Sequence, residues 1–281
     1  TSSALEAFEV DPENPFFQAG DDGVLYSRDG KRLVQYPYNK PAKAYVVRDG
    51  TQCIEEYAFS NTQNLEQVSF PESLREIGSY GFYRAKNLQR VDFEEGIDDI
   101  SSNYTFAYCS ELRELTLPST LRDLSGEEIF AGIGISTLVL PAGLREISGT
   151  RVFSGCQSLS DVKFPNGLKT ISGDYNFANT AIEQAIFPDS LIEISGVWNF
   201  MSCEKLKNVL LPEKLRVLGG GSFASCASLE EVNLPATLTE LEGSVFRNCY
   251  SLKEIRIPEG VTNIGSYCFF NCEALETIAV P

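Results

Sequence analysis

The chain contains no histidine, and only one methionine and one tryptophan, among its 281 residues. The missing imidazole removes the commonest general base and the commonest transition-metal ligand, so neither a Ser-His-Asp nor a Cys-His site can be assembled. Basic residues are scarce as well. Lys and Arg number 23 against 39 Asp and Glu, for a formal charge of −16. That balance opposes nucleic acid and anionic lipid surfaces, both of which need a basic footprint. No apolar run is long enough to span a bilayer, so no membrane insertion is expected. No basic stretch followed by an apolar core opens the chain, so a secretory signal is expected to be absent or already removed.

What the chain has is repetition. Pro71, Pro118, Pro141, Pro165, Pro188, Pro212, Pro235, Pro258 and Pro281 recur every 23 or 24 residues or at a double step, with Glu94 standing in proline's place inside the double step. Six residues before each stands Leu or Ile, from Leu65 to Leu275; six after stands Ile or Leu, from Ile77 to Ile264. A phenylalanine column is unbroken: Phe59, Phe82, Phe106, Phe130, Phe153, Phe177, Phe200, Phe223, Phe246 and Phe269. The longer units carry their extra residue between the Ile and Phe columns. Two units, around Phe130 and Phe177, lose one residue just after the Phe. Changes of length confined to turns are what a stacked array tolerates.

Each unit reads as two short extended pieces. In "LKEIRIP", Ile255 and Ile257 alternate with Glu254 and Arg256, the period of a half-buried strand. Proline ends the piece because it has no N–H for a following ladder bond. No unit has room for an ordinary helix, and one unit alone cannot bury its apolar side chains, so the units must stack. The expected fold is mainly β: a repeat solenoid of about ten rungs with a parallel sheet on the face that ends at each proline. At the N-terminus, Val24 to Tyr26 and Leu33 to Tyr36 flank Asp29-Gly30, a tight-turn pair, and predict a projecting hairpin. Leu5, Phe8 and Val10 have strand spacing. Residues 1–41 therefore read as a partial repeat and hairpin insertion, and 42–281 as the solenoid. The absence of a polar cap at either end leads us to expect a piece of a longer protein.

The consensus L-x-x-I-x-L-P-x-x-L-x-x-I-G-x-x-x-F-x-x-C-x-x-L resembles the BspA-like class of bacterial leucine-rich repeats over residues 42–281, and "DDGVLYSRDGKRLVQYP" resembles the hairpin insertion of that family. The resemblance implies a surface or secreted protein of a host-associated microbe, linked to adhesion.

The eight cysteines invite pairing, but the column three after each Phe holds Cys109, Cys156, Cys203, Cys226, Cys249 and Cys272 alongside Thr62, Ala85, Ile133 and Thr180. A column that accepts Cys, Thr and Ala asks for a small group, and free cysteine packs as one. Reduced, buried thiols are expected; there is no C-x-x-C pair, so no zinc. No cofactor or metal is expected. The acidic loop Asp11, Glu13, Asp21 and Asp22 lacks the spacing of a calcium loop. Carboxylate neighbours such as Glu94-Glu95, Asp98-Asp99 and Glu127-Glu128 read as solvated surface, and "GGGSF" at 219–223 lacks the Lys-Ser/Thr of a phosphate loop.

Two surface features rise above this background. Two before the proline, on the outward side of the strand, stand the aliphatic Val139, Ile186 and Leu210. Two before the Phe, six of ten residues are aromatic: Tyr57, Tyr80, Tyr104, Tyr175, Trp198 and Tyr267. Exposed aromatics in a row are a docking strip or an edge seal. The combined site expected is Trp198, Tyr175, Ile186 and Leu210, with Val139, Tyr57, Tyr80 and Tyr104 as further candidates. The chain is thus expected to be a monomeric, non-catalytic binding or adhesion module for a protein or glycan at the cell surface or secreted. The alternative is a spacer that presents other domains of a longer chain.

Overall fold

The computed structural model describes residues 4–281, and among them every regular element is a strand. The chain forms two compact units. One runs to Leu121 and includes Ser125–Ile135; the other comprises Arg122–Leu124 and Ser136–Pro281.

In the first unit the strands that end at the proline position pair in parallel: Ala44–Val46, Gln67–Phe70, Arg90–Phe93 and Glu114–Thr116. Val68 lies opposite Val91 and Phe70 opposite Phe93, so each repeat column becomes a row across the sheet. Parallel in-register pairing follows from the repeat itself, because a shift of one residue would turn every buried side chain outward. The N-terminal hairpin does not project. Phe17–Ala19, Leu25–Ser27 and Arg32–Gln35 form an antiparallel meander, and Arg32–Gln35 then pairs in parallel with Cys53–Ile54 of the first rung. Val24, Tyr26, Leu33 and Tyr36 are fully buried, and Tyr36 stacks on Phe59 at 4.9 Å. Burying four large side chains outweighs the freedom of a detached hairpin. The turn is as expected: Gly30 has φ of 72°, and Asp29 accepts from the Ser27 hydroxyl at 2.7 Å. Leu5, Phe8 and Val10 are half-buried without strand pairing, although the Phe8 N–H donates to the Gly23 carbonyl.

The second unit repeats the pattern. Its minor ladder runs through Asp123–Leu124, Glu146–Ile147, Thr170–Ile171, Glu193–Ile194 and Val217–Leu218, all parallel. Its broader face has three pieces: Thr137–Val139 with Asp161–Lys163; Gln184–Ile186 with Asn208–Leu210 and Glu231–Asn233; and Glu254–Arg256 with Thr277–Ala279. One interruption, between Asp161–Lys163 and Gln184–Ile186, follows the unit that loses a residue after Phe177.

Proline also organises the turn that follows it, its carbonyl accepting the N–H three residues on, as Pro165 does from Leu168 and Pro188 from Leu191. The phenylalanines stack within each unit, Phe59 on Phe82 at 4.4 Å and Phe177 on Phe200 at 5.2 Å, and those from Phe59 to Phe246 are fully buried. Around each Phe the backbone takes a conformation that the column pattern does not announce. From Tyr57 to Tyr267, every residue two before the Phe has φ between 51° and 64°; from Asn61 to Asn271, every residue two after has φ between 56° and 72°. Left-handed backbone at non-glycine residues costs about 1 kcal/mol or more. It persists because alternate N–H groups reach the next rung, as Tyr57 to Ser79, Phe59 to Gly81 and Asn61 to Tyr83, while those between close three-residue turns. From Tyr57 to Thr62 every backbone N–H is thereby used.

Candidate functional site

The aromatic column and the aliphatic column lie on different ladders. Each aromatic sits in the left-handed position before its Phe, on the turn ladder, and each aliphatic sits on the broad sheet. Trp198 and Leu210 are separated along the chain by the buried Phe200, Cys203 and Leu206.

The left-handed backbone lays the aromatic rings along the ladder. Tyr57 stacks on Tyr80 at 4.9 Å and Tyr80 on Tyr104 at 4.8 Å, with planes within 11°. Tyr83 meets Tyr80 edge-on, and the Arg84 guanidinium lies 5.0 Å over Tyr83. The ring faces between these three tyrosines are taken by one another, while Tyr57 at the end of the stack stays 45% exposed. In the second unit Tyr175 is half-buried under the Arg151 guanidinium at 5.0 Å. Trp198 is half-buried, its ring lying on Gly221, where an added Cβ would sit 2.2 Å from Trp198 Cε3. Gly221 is thus explained by the ring as well as by its own φ of 64°. Its neighbour Gly219 packs against the Gly196 carbonyl, so "GGGSF" is a packing device.

The aliphatic column is open. Val139 is 64% exposed, Ile186 58% and Leu210 54%. Ile186 lies directly opposite Leu210 on the neighbouring strand, with Gln184 opposite Asn208 beside them. Val139 lies opposite Lys163. Val46, at 72% exposed, occupies the same column one period before the aligned set. Counting that column one unit further toward the N-terminus finds it.

The cysteine column has a polar function as well as a size. Cys109, Cys203, Cys226, Cys249 and Cys272 each direct Sγ at the Phe carbonyl of the preceding rung, at 3.1–3.2 Å. Thr180, in the same column, instead donates its hydroxyl to the carbonyl of Phe177 in its own rung at 2.9 Å. All eight cysteines are free thiols. Burial pushes the Cys109 and Cys268 thiols up to about 12, far from a reactive thiolate. Cys53 and Cys272 are half-buried, so not every thiol is sealed.

The carboxylates each have their own work. Glu95 accepts the Ser119 hydroxyl and the Thr120 and Ser119 N–H groups, and those bonds hold its carboxyl below the usual range. Asp99 accepts the Ser125 hydroxyl and Glu128 that of Tyr108. Asp22 does not serve a calcium loop: Arg48 binds it at 2.7 Å and the Tyr45 hydroxyl at 3.1 Å, pinning the hairpin to the first rungs. No cluster of metal-ligating side chains occurs among the described residues. Nor is any helix there long and apolar enough to cross a membrane.

Stacked short rungs with inward Leu, Ile, Phe and Cys columns and a parallel sheet define a leucine-rich repeat solenoid. The chain belongs to the BspA-type leucine-rich repeat family: the BspA type leucine rich repeat region matches residues 38–149, 102–197, 125–249 and 173–281. Among solved structures it is similar to a leucine rich cell surface protein of Faecalibacterium prausnitzii. That likeness has a TM-score of 0.54 at 22% identity, covering 96% of this chain and 94% of that one. It is also similar to a leucine-rich repeat protein of Bacteroides ovatus (TM-score 0.51, 21% identity, covering 98% of this chain and 82% of that one). A third likeness is to the pneumococcal vaccine antigen PcpA (TM-score 0.53, 20% identity, covering 97% and 82%). At these identities the likeness shows the fold. No curated protein matches the sequence.

Proposed function

We propose that the chain is a non-catalytic recognition module, displayed at a cell surface or secreted, that engages a protein or glycan through the broad sheet of its second unit. Residues 1–41 form its partial repeat and hairpin, and 42–281 the repeat array. Family membership supports a binding or adhesion role, and the neighbours described as a cell surface protein and a vaccine antigen support the location. The observation that carries the reading is the pair Ile186 and Leu210, in register on adjacent strands and more than half exposed. Two side-by-side aliphatics in water do nothing for the fold, whereas covering them favours association. Val139 extends the candidate surface. The aromatics Tyr57, Tyr80, Tyr104, Tyr175 and Trp198 are assigned instead to sealing the turn ladder, since their faces lie on neighbouring groups. The test is the double variant Ile186→Ser with Leu210→Ser against arrays of matrix proteins and glycans. A ligand held by the parent and lost by a variant of unchanged melting temperature supports the site. Equal binding of every ligand to both refutes it, and the spacer reading would then stand.

A further inference from the structure

Resting on that reading, we propose that the occupant of the sheet is an extended, basic polypeptide segment whose side chains run basic, any, apolar, any, basic across the strands. The aliphatic pair lies between two interruptions of the sheet. On one side, Asp161–Lys163 and Gln184–Ile186 do not pair as a ladder, and a cleft of about 500 Å³ opens between them. On the other, Glu231–Asn233 and Glu254–Arg256 likewise do not pair, and leave a cleft of about 380 Å³.

Both clefts carry an excess of carboxylate. In the first, Lys163 is bound to Asp161 at 2.9 Å, which leaves Glu183 uncompensated. In the second, Glu231 and Glu254 outnumber Arg256. The surface between them is neutral, with Gln184 and Asn208 beside Ile186 and Leu210. A neutral glycan would gain nothing from the paired acidic clefts, and an acidic partner would be repelled by them and by the net charge of −16.

Spacing fixes the conformation. Strands lie ~4.8 Å apart, so the clefts, three strand spacings apart, are separated by about 14 Å. An extended chain rises ~3.3 Å per residue, so residues four apart span about 13 Å and share one face. The residue midway then falls over the Asn208–Leu210 strand, with Leu210 beneath it and Ile186 one strand to the side. A helix would need about nine residues for that span, and at 3.6 residues per turn it would put its two basic groups on opposite faces.

The experiment is selection of a displayed random-peptide library on the intact chain at low salt, with each enriched peptide retested on Leu210→Ser and on Glu183→Gln with Glu254→Gln. Circular dichroism and melting controls show that the variants fold. Enriched peptides should carry the basic–any–apolar–any–basic order. They should lose about tenfold or more in affinity on Leu210→Ser. They should weaken on the double charge removal and as salt is raised. Peptides lost on Leu210→Ser but lacking the basic pair, or insensitive to salt, overturn the partner class and leave the site standing. Peptides indifferent to Leu210→Ser overturn the site itself, and a selection that enriches nothing overturns the proposal.

Discussion

At Cys226 the thiol reaches the Phe200 carbonyl at 3.2 Å, a carbonyl that also accepts the Cys203 N–H at 3.3 Å. Removing the sulfur therefore leaves that acceptor partnered, and Cys226→Ala should cost only about 1 kcal/mol in chemical denaturation. Phe223 is fully buried between Phe200 and Phe246, and Phe223→Ala should cost about 3–5 kcal/mol by the same measurement. The phenylalanine column was legible because an interior slot between rungs accepts little else. The left-handed backbone on either side of it was not. The column after the Phe holds Asn61, Gly132, Gly155, Asn179, Asn248 and Asn271, types that tolerate positive φ, and so carried a signal. The column before it holds large aromatics, which that region disfavours, and reads as variable surface. Tyr36 makes the opposite point: its buried hydroxyl meets no hydrogen-bonding group. Tyr36→Phe keeps the stacking on Phe59, so its melting temperature should equal or exceed that of the parent.

At the scale of the element, rungs touch backbone to backbone where the longer units turn. A Cβ on Gly173 would stand 1.8 Å from the Gly149 carbonyl oxygen, and one on Gly196 2.0 Å from that of Gly173. Neither atom belongs to a side chain that could swing away. Gly173→Ala should destabilise by about 3 kcal/mol, seen as a lower denaturation midpoint. Sequence marks these glycines as turn residues but cannot show that the next rung lies on them. The same turns hold a buried amide pair. Asn176 accepts from the Val152 N–H at 3.0 Å and donates to Gly173, and Asn199 accepts from the Asn176 N–H and donates to Gly196. The residue missing after Phe177 was visible as a shortened unit, but the interrupted sheet beside Ile186 emerged only with the strands placed.

For the whole molecule, buried acids that stay neutral set the response to pH. Burial pushes Tyr36 up to about 12 from 10, and Cys109 and Cys268 up to about 12 from 9. The folded state thus holds protons that the unfolded chain releases. This stability is complete below about pH 9 and is lost as pH rises from there through about 12. Denaturation midpoints should hold steady near neutrality and fall across that window. Thiol labelling at neutral pH should reach Cys53 and Cys272 first and the fully buried thiols only after unfolding. The sequence by itself determined the repeat, its parallel register and its interior columns, because each follows from periodicity and from the need of one unit to be covered by the next. It also named the outward aliphatics. Tertiary structure alone decided which surface residues remain available. Packing between rungs laid Tyr57, Tyr80 and Tyr104 on one another and Trp198 on Gly221, and folded the hairpin onto the first rungs, whereas Ile186 and Leu210 stayed open, since no later rung passes over the outer face of a sheet.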